Sequence, residues 1–249
     1  MDATAWKKAK HPALALLTWP GLSTLMPRLW PALMALAMLA AGDAAVAQSQ
    51  TAPRVKFVTS EGEFVVEVYP DKAPKTVANF LQYVNDKHYD GTVFHRVISN
   101  FMVQGGGYDA RYREKPSRAP VTHEGREALS KGGARNTVGT LAMARTNDPH
   151  SATAQFFINV RDNAFLDPVL IPEGDPVARF EYDGRTYENV PRANLLNAPQ
   201  LFGYTVFGAV VSGMDVVERI KAVPTGAGGP FPTDVPRTQV TIQSATLVK

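Results

Sequence analysis

The sequence predicts an all-β fold, a closed β-barrel accompanied by two α-helices. Three observations point there. Short β-rich segments recur along the chain from Arg54 onward, separated by turn residues. Only two segments place their apolar residues at helical spacing. No internal repeat and no linker-like stretch divides the chain, so these elements belong to one domain, and closing the sheet on itself removes exposed strand edges.

Taken in order, Val55–Thr59 and Phe64–Tyr69 flank Ser60-Glu61-Gly62 and read as a hairpin. Pro74–Asp86 spaces Val77, Phe80, Leu81 and Val84 for one helical face. Pro74 suits the first turn, where its missing N–H would have had no partner anyway. Asp90-Gly91 marks a turn before a strand over Thr92–Ile98. Further strands are expected at Phe101–Gly105, Gly139–Ala144, Phe156–Val160, Tyr204–Val211 and Gln239–Val248. The second helix spans Met214–Ala222, with Val217 and Ile220 on one face.

The 249 residues, 45% apolar and 20% charged, describe an ordinary globular protein. The net charge of +3 is concentrated in the first 47 residues, where Lys7, Lys8, Lys10 and Arg28 outnumber Asp2 and Asp43. The remainder is nearly neutral and has no basic stripe interleaved with aromatics, which argues against a nucleic-acid partner. The absence of cysteine excludes disulfides, thiol nucleophiles and thiolate metal sites. Arg28, the apolar run Leu29–Ala41 and Ala45-Val46-Ala47 before Gln48 have the form of a secretory signal. The run contains Pro31 and is too short to span a bilayer comfortably. Residues 1–47 are therefore expected to be a signal peptide cleaved after Ala47, with Met26 a possible true start. The mature protein would be periplasmic or otherwise secreted, without stable membrane insertion after cleavage; the alternative is an uncleaved leader that acts as an anchor. The domain proper is expected over 48–249.

No G-x-S-x-G, H-E-x-x-H or P-loop motif is present. Gly105-Gly106-Gly107 follows a strand, but no helix opens after it, so a tight bend is the better reading than a dinucleotide site. His88, His95, His123 and His150 lack metal-ligand spacing, and no metal or cofactor is expected.

What remains distinctive is a set of segments: Phe94-His95-Arg96-Val97-Ile98, Phe101-Met102-Val103-Gln104-Gly105-Gly106, Ala154-Gln155-Phe156-Phe157-Ile158, Asn163-Ala164-Phe165-Leu166-Asp167 and Gly203-Tyr204-Thr205-Val206-Phe207-Gly208. In this order they resemble the cyclophilin family of peptidyl-prolyl cis/trans isomerases, from about Arg54 to Lys249. Arg145-Thr146-Asn147-Asp148 adds a likeness to its bacterial periplasmic branch. The resemblance implies a closed eight-stranded antiparallel barrel capped by two α-helices, and it implies a site. Arg96 matches the catalytic arginine, and Phe101, Met102, Phe157 and Leu166 match the walls of the proline pocket. Gln104 matches a residue that bonds the substrate backbone, while Ala144, Arg145 and Gln155 match positions lining the peptide groove. His95 would orient the scaffold and not act as a base. Phe165 stands where many members have Trp, and Tyr204 where many have His, as in the periplasmic branch. The partners implied are proline-containing peptides and unfolded or extended secreted proteins, met by a monomer. A non-enzymatic binding module would use the same groove, but it would not require the charge of Arg96.

One stretch departs from the family. Residues 168–201, with Pro168, Pro172, Pro176, Pro191 and Pro199, form an insertion where that branch has a short connection. Within it, Asp183-Gly184 is a two-residue hairpin signal. The register pairs Phe180 with Tyr187 and Tyr182 with Arg185, and the aromatic face is expected to pack on the barrel near the groove.

Overall fold

The structure, a computed structural model, describes residues 52–248. The signal segment expected over residues 1–47 lies outside the described residues. The strands, in chain order, are β1 (Arg54–Thr59), β2 (Gly62–Val68), β3 (Thr92–Ile98), β4 (Met102–Asp109), β5 (Thr140–Met143), β6 (Phe156–Asn159), β7 (Val177–Tyr182), β8 (Arg185–Val190), β9 (Val206–Ser212), β10 (Thr225–Gly228), β11 (Phe231–Pro236) and β12 (Thr241–Leu247). Eight of them close a barrel in the order β1-β12-β3-β4-β6-β5-β9-β2, with every pair antiparallel. Two hairpins, β7–β8 and β10–β11, stand outside it.

Strands β5 and β6 are buried at every position because both of their faces are covered, whereas β1 and β2 alternate buried and solvated residues. Phe156 and Ile158 belong to the interior cluster, whereas Phe157 between them belongs to a second cluster. The same alternation divides Leu141 and Met143 from Ala142, Val103 from Met102, and Phe207 from Val206. A strand's period of two thus builds a core inside the barrel and a separate apolar surface outside it. Inside, the rings of Phe57 and Phe64 stack with centroids 5.0 Å apart, and Phe57 also meets Phe80, Tyr89 and Phe156.

Helix α1 (Pro74–Asn85) turns Val77, Phe80 and Val84 into this core, as its spacing predicts. Its N-terminus has no local side-chain cap. Instead the buried Glu124 carboxylate accepts the N–H groups of Lys75 and Thr76 and the Thr76 hydroxyl, at 2.7–3.1 Å. An anion at a helix N-terminus satisfies donors that lack intrahelical partners. Two short helices were not anticipated, α2 (Gly125–Ser130) and α3 (Arg192–Leu196). Helix α4 (Met214–Ala222) has its predicted bounds and buries Val217 and Ile220 completely.

Three expectations are corrected. Gly105-Gly106-Gly107 does not end a strand at a bend, because β4 runs on to Asp109. These glycines permit close approach: a Cβ on Gly106 would lie 2.8 Å from the Tyr89 ring, and one on Gly107 2.4 Å from Gln155. Tyr204 precedes β9 instead of starting it. The insertion does form the hairpin in the expected register, Phe180 opposite Tyr187 and Tyr182 opposite Arg185. Its aromatic face does not pack on the barrel. Phe180 lies with Val177, Leu195 and Leu201 in a small core built within the insertion, against which Val169, Ile171 and Tyr182 also pack.

Candidate active site

A row of directly opposed residues crosses five strands of the barrel. Arg96 on β3 faces Gln104 on β4, which faces Phe157 on β6, then Ala142 on β5 and Val206 on β9. Directly opposed residues point to the same side of a sheet. This row therefore presents one cation, one amide and an apolar floor on the barrel's outer surface. The cluster of Met102, Ala142, Phe157, Leu166 and Val206, with Phe101, Ala144 and Tyr204 against it, forms the wall.

The depression above this row has a volume of about 360 Å³. It is lined by Arg96, Phe101, Met102, Gln104, Ala144, Arg145, Phe157, Phe165, Leu166 and Tyr204. The structure thus brings together every residue expected at the site except Gln155. That side chain accepts a 3.0 Å hydrogen bond from Gln104 Nε2. Fixing the Gln104 nitrogen in this way leaves its oxygen available to a ligand N–H.

The two ends of the apolar wall are held by amide chemistry that the sequence reading missed. Asn163 Nδ2 donates to the carbonyl of Phe101 at 2.9 Å and to Asn159 Oδ1 at 2.7 Å. Asn159 donates in turn to Asn136 and Thr140, and Asn136 Nδ2 donates to the carbonyl of Leu166 at 3.1 Å. All four side chains are buried. A buried polar network with its bonds made is rigid, because every alternative leaves a polar group unpaired. It fixes the backbone of Phe101 and Leu166, both of which line the pocket. Asn163 stands within one of the quoted motifs, but nothing in sequence links it to Asn136 and Asn159.

Arg145 serves the rim. Its Nε donates to the carbonyl of Gly203 at 3.0 Å and its guanidinium lies 4.6 Å from the Tyr204 ring centroid, while Tyr204 meets Phe157 edge-on. Gly203 adopts φ +62°, and a Cβ there would fall within 2.6 Å of the backbone at Leu166–Pro168, so only glycine fits. His123 Nε2 also meets the Gly203 carbonyl, at 3.2 Å, while its Nδ1 accepts the Gly125 N–H. Burial holds His123 near a pKa of about 4, against the opposing pull of the Gly203 carbonyl. It is thus a neutral strut at physiological pH. Phe165 is 75% exposed and stacks on Phe101 at 5.7 Å, extending the apolar wall toward solvent.

Arg96 is half-exposed at the edge of the apolar floor, and among the described residues its guanidinium makes no hydrogen bond within the chain. Beside it, His95 is buried between Tyr108 and Phe231, with Nδ1 unpartnered. Burial lowers its pKa to about 4, and the Arg96 charge adds to that against a contact with the Val93 backbone. A neutral, enclosed imidazole has no path for proton traffic with a ligand in the groove. The arrangement can grip an apolar ring and direct a fixed positive charge at its edge. It places no acid–base pair over the pocket.

Comparison with known proteins agrees. The family model for the cyclophilin-type peptidyl-prolyl cis-trans isomerases matches residues 54–247. A peptidyl-prolyl cis-trans isomerase of Streptomyces antibioticus is 45% identical over 194 residues, covering 78% of this chain and 98% of its own. Isomerase B of Escherichia coli is 43% identical over 193 residues, with 78% and 98% covered. Isomerase A of Dickeya dadantii is 40% identical over 199 residues, with 80% and 86% covered. Among solved structures, a Cryptosporidium parvum cyclophilin crystallised with the dipeptide Ala-Pro superposes with a TM-score of 0.52 at 19% identity, covering 79% of this chain and 99% of that one, a likeness of fold. By sequence match and by barrel alike, the chain belongs to the cyclophilin-type peptidyl-prolyl cis-trans isomerases.

Proposed function

We propose that the groove accelerates Xaa-Pro rotation in unfolded or extended secreted proteins, with Arg96 stabilising the twisted prolyl amide. The observation that supports this most directly is a guanidinium without internal hydrogen bonds beside a depression of about 360 Å³ walled by Phe101, Met102, Phe157 and Leu166. Resonance gives the peptide C–N bond partial double-bond character and a rotation barrier of roughly 18–20 kcal/mol. At the twisted midpoint resonance is lost, and the prolyl nitrogen acquires a lone pair that accepts a hydrogen bond. Arg96 can donate to it only in that state, which is differential binding of the transition state. A hydrogen bond from a charged donor contributes about 1.5–3 kcal/mol, on the order of 10- to 100-fold in rate. The apolar wall of Phe101, Met102, Phe157 and Leu166 supplies the rest by holding proline fixed while the other side of the bond turns. Gln104 and the rim at Ala144 and Arg145 keep the peptide extended.

The signal-like leader supports secreted clients and a periplasmic or otherwise secreted location, with which the cysteine-free composition is compatible. Localising the full-length chain with a tag at Lys249 tests the location. The catalytic role is tested by isomerisation of a short Xaa-Pro peptide. Arg96→Ala should lose at least 10-fold in kcat/KM with an unchanged circular-dichroism spectrum. Arg96→Lys should recover little, because a point charge lacks the planar fork that sets donor direction. Normal turnover by folded Arg96→Ala would refute the mechanism.

A further inference from the structure

The segment Thr225–Pro236, absent from the strands read in the sequence, folds as the β10–β11 hairpin and docks beside Arg96. Phe231 anchors it, with ring centroids 5.4 Å from His95 and 5.1 Å from Tyr108. Val235 closes the hairpin on itself. It is buried against Gly228, where a Cβ would approach Val235 to 2.7 Å.

Between Phe231 and Val235 the two strands do not match in length. Gly226 pairs with Val235 and Gly228 with Phe231, so Pro232, Thr233 and Asp234 stand opposite Ala227 alone. Extra residues on one strand bend it and re-aim its side chains. Asp234 takes up the mismatch with φ +66°, a left-handed conformation that only Gly, Asn and Asp visit readily. The bulge carries its carboxylate to 4.0 Å from Arg96 Nε. Among the described residues no other carboxylate pairs with Arg96.

We propose that Asp234 is a positioning residue for Arg96. It holds the Nε edge of the guanidinium toward the hairpin, which leaves the two terminal nitrogens for the prolyl nitrogen of a bound peptide. The role rests on the reading of Arg96 as the transition-state donor. The pair is partly solvated, with side-chain exposures of 46% and 36%. It therefore supports an effect of about two- to fivefold in turnover, not the whole contribution of the arginine.

The test uses the full described chain and two variants. Asp234→Gly keeps the left-handed backbone and removes the carboxylate. Asp234→Asn keeps the shape and removes the charge. Exchange NMR on a short Xaa-Pro peptide separates the rate at saturation from peptide affinity, and relaxation of the Arg96 Nε–H reports how well the guanidinium is held. Both variants should turn over about two- to fivefold more slowly at near-normal affinity, with the Arg96 Nε–H order parameter reduced. Normal turnover in Asp234→Gly would overturn the proposal. So would slower turnover with Arg96 as ordered as in the parent, since Asp234 would then act by another route. Full activity in Arg96→Ala would instead sink the reading of Arg96, and the role of Asp234 with it.

Discussion

Phe165 is the most exposed large apolar side chain at the groove, and among the described residues its aromatic partner is Phe101. Family members with tryptophan at this position offer a ligand an indole N–H, a donor phenylalanine lacks. A cyclosporin-type ligand whose carbonyl is buried against Phe165 leaves that carbonyl unpaired, at a cost of about 1–3 kcal/mol. Weak inhibition is therefore expected, and Phe165→Trp should tighten it by about 5- to 150-fold. Turnover of a short peptide should change far less, since it relies on Arg96, Gln104 and the proline pocket. Titrating the ligand against both proteins checks this. Tight inhibition of the parent would contradict the role given to Phe165, and an unimproved variant would place the defect at Tyr204.

At the scale of elements, the insertion is a module with its own core and a closed neck. Tyr204 N–H donates to the carbonyl of Leu166 and Val169 N–H to that of Leu201, so the chain leaves and re-enters the barrel at one point. Arg126 on α2 clasps it from outside. Its guanidinium donates to the carbonyls of Val169, Leu196 and Leu195 and lies 4.3 Å from the Phe202 ring centroid. Burial pushes the pKa of Arg126 down. Because Leu166 and Tyr204 both line the groove, the clasp ties the insertion to its rim. Removing Pro172–Pro199 should leave a folded barrel with an altered preference among peptides. Arg126→Ala should loosen the insertion by about 1–2 kcal/mol, seen as faster proteolysis within 168–201 at an unchanged barrel melting temperature. Identical activity of the deletion variant toward short peptides and unfolded proteins would remove any substrate role for the insertion.

For the molecule as a whole, pH should act on stability and not on turnover. His95 and His123 have folded pKa values of about 4, against about 6.5 for an unperturbed imidazole. Between those values the unfolded chain binds more protons than the folded one, so stability falls as pH falls through that window. Above about pH 6.5 the contribution is fully present. The shift at His95 corresponds to as much as roughly 3 kcal/mol lost by pH 4. Both rings are already neutral in the folded protein above pH 6, and arginine does not titrate there. Isomerase activity should therefore be nearly flat from about pH 6 to 9. The melting temperature should drop between pH 6.5 and 4.5, and less steeply in His95→Phe. A neutral-pH inflection in activity with the fold intact, lost in His95→Phe, would make His95 a chemical participant.

Much of this was legible from local pattern. The bounds of α4, the strand β3, the first hairpin and the register of Phe180 against Tyr187 depend on spacing and turn chemistry among neighbours, which the chain displays directly. Arg96 and the pocket residues were legible only through their resemblance to a family, because an Arg, a Gln and scattered aromatics have no diagnostic spacing. Other features required the closed barrel. Alternation sent Phe157 outward and Phe156 inward, but which face was core depended on strands far apart in sequence. The amide network of Asn136, Asn159 and Asn163, the Glu124 carboxylate at α1, the insertion folding on itself and the approach of Asp234 to Arg96 are all contacts between distant segments. Local backbone preference and hydrophobic period act between neighbours, so the sequence by itself determined where the barrel strands and the two longer helices form, but not the short helices α2 and α3 or the β10–β11 hairpin. Which polar groups meet is set by closure of the barrel, where each buried donor must find a partner wherever the chain returns, and that only the tertiary structure decided.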